Sequence, residues 1–334
     1  MIRIGEKLNG SIPAAARAIA NRDEVWIRKT AREQAESEAV YLDICSANAA
    51  YEEETLRWMI ETVERETKLP LCIDSPDTEM LLKCRYFCRQ PGILNSVSME
   101  KKRRIDEVFH MMQENREWQA AVMLCGEDGI PDSVEGKLEI FEEILEKAES
   151  YGIDASRLYV DPAVGAAVFQ EPKEGKGPVS RLLETMDRIR ERCPAVHRMA
   201  ALSNISYGLP ARKSVNCSFA VLGLAHGMDS AIFDVTDRDL GKITDAAERL
   251  LKNKEELKIE QVSQDSNRDR YTRTAAAVLA IEKGLLFPDE ILENTEDPFE
   301  RSVVYAVAAL LGLDRQEYCM GYIEAYRKGF LQTG

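Results

Sequence analysis

PLCIDS at residues 70–75 and GILNS at 92–96 decide the fold. Each is a short, β-prone apolar run that ends in Asp, Asn or Ser and leads into a segment of helical pattern. The same arrangement recurs in YLDICSAN (41–48), LYVDP (158–162), AALSNIS (200–206) and AIFDVTD (231–237). Strand-like and helix-like segments alternate with a period of about 30 residues, the length of a parallel βαβ unit. Strands are expected near 2–5, 40–45, 70–74, 92–95, 119–125, 157–161, 199–203 and 230–234. Amphipathic helices are expected over 52–67, 101–117, 134–151, 181–193 and 239–253. Eight strands with returning helices predict an α/β fold, a (β/α)8 TIM barrel, whose ligands bind at the carboxyl ends of the strands.

After about residue 255 the pattern changes. SQDSNRDR (263–270) is polar and reads as a linker, followed by helical patterns over 271–283, 298–311 and 315–328 and a turn started by Pro288. The expected division is therefore a barrel over 1–260 and a C-terminal helical extension over 261–334. The apolar stripe of Val303, Val304, Val307, Ala308, Leu310 and Leu311 needs cover, most simply from packing within the chain. QEPKEGKGPVS (170–180) combines Pro, Gly and charge and reads as a mobile loop beside the barrel mouth.

Composition excludes several classes. A formal charge of −14 over 334 residues argues against a nucleic-acid backbone or an anionic membrane as partner, since both reward clustered Lys and Arg. The run KKRR (101–104) reads as a solvated helix face. Eight Cys with no paired CxxC clusters and no secretory leader suggest a reducing, cytoplasmic setting. No apolar run approaches the ~18–20 residues of a spanning helix. His110, His197 and His226 lie outside HExxH-like patterns, and Cys84 and Cys88 lack two further ligands, so no metal site is expected. GxSxG, GxGxxG and the Walker glycine pattern are absent.

What remains is the set of polar strand exits. Asp74, Asn95, Asp161 and Asn204 would share one barrel mouth although they lie far apart in the chain. Two carboxylates and two carboxamides, with few cations and no general-base histidine, suit a flat heterocycle rich in N–H and NH₂ groups. A guanidine-like edge, as in a pterin, donates two parallel hydrogen bonds to one carboxylate. Asp and Asn at strand ends commonly cap the next helix or make turns instead. Four of them at separate exits of one barrel favour the ligand.

The motifs IGEKLNG (4–10), LCIDS (71–75), ILNS (93–96), LYVDP (158–162), LSNISYGLPAR (202–212) and VNCSFAVLGLAHGMDSAIFD (215–234) resemble those of the pterin-binding methyltransferases. The chain is most similar to the methyltetrahydrofolate:corrinoid protein methyltransferases, and also to the folate domain of cobalamin-dependent methionine synthase. The resemblance covers roughly residues 1–255. It implies a homodimeric αβ barrel that binds tetrahydrofolate or N5-methyltetrahydrofolate, with pterin ligands at Asp74, Asn95 and Asp161. It places Asn204 near N5 as the catalytic residue, Ser203 at the strand end and Arg212 in the lining of the mouth. Asp43 and Asp234 are expected to serve loop and barrel-rim hydrogen bonding. Cys45 stands where many relatives have Asn, and the strand 5 exit LCGEDGIP (124–131) also departs from them. The reaction implied is methyl transfer between N5 and the cobalt of a corrinoid (cobalamin), in either direction. The chain lacks the DxHxxG signature of cobalamin-carrying modules, so the corrinoid is expected on a separate partner protein. The alternatives are a dihydropteroate synthase-like enzyme, which would need a basic strand 8 exit where FDVTDRD (233–239) is acidic, and a non-catalytic pterin-binding protein.

Overall fold

The computed structural model describes residues 1–47, 51–166, 177–253 and 258–313. The helix expected over 315–328 and most of the loop expected over 170–180 lie outside the described residues. Eight parallel strands close into a barrel in sequence order: β1 (Ile2–Asn9), β2 (Tyr41–Cys45), β3 (Leu71–Asp74), β4 (Ile93–Ser98), β5 (Gln119–Met123), β6 (Leu158–Asp161), β7 (His197–Ala201) and β8 (Ser230–Phe233). β8 returns to pair with β1, which leaves no free edge. Leu42, Ile44, Ile73 and Leu94 are fully buried. The residues alternating with them, Asp43, Cys72 and Asn95, fill the barrel interior.

By contact the chain divides into two compact units. The first comprises Met1–Ala163, Arg188–Ala200 and Asp229–Thr236, which carry the strands together with α1 (Pro13–Ala20), α2 (Glu24–Glu36), α3 (Glu52–Glu64), α4 (Thr78–Cys84), α5 (Lys102–Glu114) and α6 (Val134–Ser150). Local chemistry sets their limits. α6 starts where Ser133 Oγ accepts the Gly136 N–H, and α4 where Asp77 accepts the Glu79 N–H. At the amino end of the barrel, Tyr41 donates to Gln119 at 2.8 Å and Tyr159 stacks on His197, which fills the floor with large side chains.

The second unit contains Val164–Asp187, Ala201–Met228 and the chain from Asp237 onward. It includes the start of α7 (Pro178–Arg192), then α8 (Arg212–Ala225), α9 (Arg238–Lys252), α10 (Ile259–Gln264), α11 (Arg270–Glu282), α12 (Pro288–Leu292) and α13 (Pro298–Leu311). α11 is its centre. Every residue from Thr274 to Ile281 is buried, and the helix packs against α8, α9, α10 and α13. A helix that is apolar all round must lie inside, and the run TAAAVLAI lets its neighbours approach closely. The stripe on α13 is covered by α8 and α11, with Ser214 bonded to Ser302 at 2.8 Å and Ser218 donating to the Val303 carbonyl at 3.0 Å. α13 begins where Asp297 caps Phe299 and Glu300 with Pro298 in the first turn, and ends at Gly312, whose φ of 73° suits glycine.

The sequence reading and the structure differ at identifiable places. β7 begins at His197 and stops at Ala201, and Leu202–Ser206 wind into a 3-10 turn. Ser263 and Gln264, read as linker, finish α10. α8 lies outside the helices expected from pattern, because it is buried nearly all round and shows no one-sided stripe. Among the described residues no helix is long and apolar enough to cross a membrane.

Two predictions concern the second unit. Ala277 is fully buried on α11, a helix packed by α8, α9, α10 and α13. Ala277→Leu should destabilise the protein by ~1–3 kcal/mol in denaturant unfolding, the usual scale for overpacking. His226, which closes α8, sits between two carboxylates, with Nδ1 2.5 Å from Asp187 and Nε2 3.2 Å from Glu282. Burial alone would lower its pKa, but hydrogen bonds and charge from Glu282 and Asp187 outweigh it and raise the pKa. Stability from this clamp is complete below the unfolded histidine's pKa of about 6.5 and is lost as pH rises through the higher folded value. His226→Gln should therefore lower Tm more at pH 6 than at pH 9; an equal effect at both would show that the imidazolium contributes nothing.

Candidate functional site

The carboxyl ends of β2, β3 and β4 stand in register. Cys45 is opposite Asp74, and Asp74 is opposite Asn95. One level below, Asp43 faces Cys72, and Cys72 faces Ile93. Gly92 permits this pairing, because a Cβ there would lie 2.0 Å from the Leu71 carbonyl oxygen and push β4 off β3. Beyond Leu94 the pairing of β4 with β5 slips before resuming at Val97, the irregularity that commonly re-aims side chains at barrel rims. Ser75 continues the β3 exit: its N–H donates to the Asn95 carbonyl at 2.9 Å and its Oγ donates to Glu52 Oε1 at 2.7 Å.

Asp161 ends β6 in the same unit, opposite Met123 of β5. Its Oδ1 accepts the Ala163 N–H at 2.8 Å and its carbonyl accepts the Leu124 N–H at 2.9 Å. The buried Lys137 reaches the next carbonyl, that of Pro162, at 2.6 Å. At the β1 and β8 ends, Lys7 pairs with Asp234 at 2.9 Å, and Asp234 Oδ1 also accepts from Thr236 N and Oγ1. Asp234 thus has the loop-bonding role expected of it.

Asp43 does not. It is 1% exposed, inside the barrel rather than on its rim, and its Oδ1 has no hydrogen-bond partner. Burial pushes its pKa well above the usual carboxylate range and the charge of Asp74 adds to this, while Cys72 and Asn95 pull it back and Glu6 raises it further. Asp74 is raised too, chiefly by burial, with the Cys45 thiol opposing and Glu52 reinforcing. The signal for Asp43 was its place in YLDIC. It lies two residues before the inward-facing Cys45, and therefore one layer deeper than a strand exit. Cys45 and Cys72 are buried, and burial raises both thiols far from reactivity.

An open cleft of about 360 Å³ adjoins this layer, lined by Cys45, Asp74, Ser75 and Ser96 and also by Lys101 and Arg104. In the second unit, Ser203 and Asn204 lie on the 3-10 turn after β7. Arg212, the first residue of α8, holds that turn: Nη2 donates to the Ser203 carbonyl at 2.8 Å and Nε to Ser206 Oγ at 3.0 Å. Asn204 is exposed, and its carboxamide has no hydrogen-bond partner among the described residues. Ser203 contributes its backbone carbonyl to this bracing, and Arg212 acts as a strut for the turn.

Asp43 and Asp74 lie at successive levels beside the Asn95 carboxamide, a set of groups able to accept from N–H donors. The family model for pterin-binding enzymes matches residues 16–234, more than half of the chain. This chain belongs to the pterin-binding enzymes. It is 39% identical over 255 residues to a methylcorrinoid:tetrahydrofolate methyltransferase of Eubacterium limosum, covering 76% of this chain and 92% of that protein. It is 30% identical over 247 residues to the methionine synthase of Mycobacterium leprae, covering 70% of this chain but only 20% of that much longer protein. Among solved structures, the 7,8-dihydropteroate synthase of Vibrio fischeri matches with a TM-score of 0.56 at 13% identity, over 75% of this chain and 93% of that one. A Xanthomonas albilineans dihydropteroate synthase matches at 0.55 and 19%. At such identities the likeness shows a shared barrel and nothing of the reaction.

The buried carboxyl pair of this pterin-binding enzyme has a thermodynamic signature. Asp43 has a folded pKa above its unfolded value of about 3.9, so its contribution is complete below that pH and is lost as pH rises through the folded value. Asp43→Asn keeps the shape without the charge. It should raise Tm at neutral pH by roughly 2–4 °C, the effect of about 1 kcal/mol in a domain of this size. The gain should vanish near pH 4, and a variant less stable than wild type at pH 7 would show that the carboxyl is satisfied as an anion.

Proposed function

We propose that this enzyme moves a methyl group between N5 of tetrahydrofolate and the cobalt of a corrinoid carried by a separate protein. The observation that carries this reading is the match along nearly the whole length of a methylcorrinoid:tetrahydrofolate methyltransferase, made by a chain with Asp74 paired to Asn95 at adjacent strand ends. The likeness to dihydropteroate synthases rests on the fold, and the strand 8 exit here presents Asp234 already engaged by Lys7.

In this reading Asp74, Asn95 and Asp161 hold the pterin. A carboxylate accepts two parallel N–H bonds from a guanidine-like edge, and the neighbouring carboxamide matches a ring nitrogen or carbonyl. Burial makes the Asp74 anion expensive in the empty protein, so an N–H-rich edge is bound in preference to water. Asn204 is assigned to N5 by its place in LSNIS. Its carboxamide can rotate to donate to N5 or accept from it without formal charge, which suits transfer in either direction. Arg212 is a positioning residue that holds the turn carrying Asn204. The corrinoid supplies the second methyl carrier, and the protein's part is to fix the pterin for in-line approach.

Asn204→Ala should keep most of the tetrahydrofolate affinity while kcat falls by about 10²-fold or more, the scale for losing a preorganised polar group at the reacting atom. Equal losses in affinity and rate would make Asn204 a ground-state contact only. Asp161→Asn should weaken tetrahydrofolate by ~1–3 kcal/mol in calorimetry, the scale for a mismatched hydrogen bond to a charged group. Unchanged affinity would remove Asp161 from the site.

A further inference from the structure

The basic run at 101–104, read from sequence as a solvated face, splits in the structure. Lys102 pairs with Glu127 at 3.7 Å and Glu143 at 3.8 Å, and Arg103 with Glu107 at 3.3 Å. Lys101 and Arg104 instead line the cleft that begins at Asp74. Lys101 is exposed and has neither ion pair nor hydrogen bond among the described residues. Arg104 is bonded to Glu107 at 3.0 Å and lies 3.9 Å from Glu79, which Lys83 binds more closely at 3.2 Å; the charge of Asp77 also acts on it. Two acids also line the cleft. Glu52 accepts from the Ser75 hydroxyl, and Glu100 adjoins Lys101.

Over the whole chain acidic residues outnumber basic ones, 58 to 44. Long-range attraction by the protein as a whole cannot recruit an anion here. Local cations within a Debye length of about 10 Å must do it. The cleft joins these cations to Asp74, one of the groups assigned above to the pterin edge. A folate carries its anionic charge at the other end of the molecule, on the carboxylates of its glutamyl tail, and each further γ-linked glutamate adds one more.

We propose that Lys101 and Arg104 engage the carboxylates of the folate tail, so that the enzyme selects polyglutamylated tetrahydrofolates over the monoglutamate. The proposal rests on the methyltransferase reading and deepens it. It gives the cleft a direction, with the N–H-rich end of the ligand at the buried acids and the anionic end at the exposed cations.

The test is calorimetric titration of wild type and the Lys101→Gln/Arg104→Gln double variant with tetrahydrofolate monoglutamate, tetrahydrofolate triglutamate and the tail-less 6-methyltetrahydropterin. Wild type should bind the triglutamate about three- to tenfold tighter than the monoglutamate at low salt. That advantage should shrink as salt rises, as for exposed ion pairs. The double variant should lose the advantage and bind the tail-less pterin as wild type does, which also shows that it is folded. Equal affinity of wild type for both tail lengths, or an advantage that survives in the double variant, would overturn the proposal while leaving the methyltransferase reading intact. Failure of wild type to bind any of the three would overturn both.

Discussion

The register of β3 against β4 is the constraint on which the candidate site depends. It sets Asp74 beside Asn95 at one level and buries Asp43 and Cys72 at the next, and it exists because Gly92 allows the two backbones to meet. A slip of one residue would turn every one of these side chains toward the surrounding helices. Closure of the barrel removes the freedom to slip, since β1 is bonded to β2 on one side and β8 on the other. The polar groups are therefore held by the backbone ladder, and their own mutual repulsion cannot spread them apart.

That repulsion gives the site its chemical character. Burial disfavours charge on both Asp43 and Asp74, and the charge of Asp74 raises the Asp43 pKa further. On the proposed reading, the arrangement is costly in the empty protein and becomes favourable once an N–H-rich edge supplies the missing donors, the usual relation between a strained site and its ligand. The second unit shows the opposite economy of charge. Lys213, Arg270 and Tyr271 converge on Asp239 and lower its pKa, satisfying the acid locally.

How much of this was legible in the sequence depended on whether a feature repeats. Strand exits recur, so the barrel and the places of Asp74, Asn95 and Asp161 followed from pattern, and α13 was bounded by Asp297, Pro298 and Gly312. Features set by depth were not legible. Asp43 reads like the other strand acids but lies one residue pair deeper, and only the register shows it. LSNIS continues an apolar strand in composition and yet turns at once into a 3-10 helix, bonded from outside by Arg212, eleven residues after the end of β7. The burial of α11 on all sides was hidden for a different reason. A central helix has no polar face, so a one-sided stripe cannot reveal it.

The burial of α11 and the cover that α13 gives α8 also set a timetable. Ser218 of α8 finds its partner at Val303, 85 residues later in the chain. At a synthesis rate of roughly 5–20 residues per second, the apolar surface of α8 stays uncovered for several seconds after it is made. The barrel strands, whose final partner β8 ends at Phe233, are complete before that cover arrives. During synthesis the hazard thus lies in the helices: once β8 has emerged, every barrel strand has its partner while the apolar surface of α8 still waits for α13.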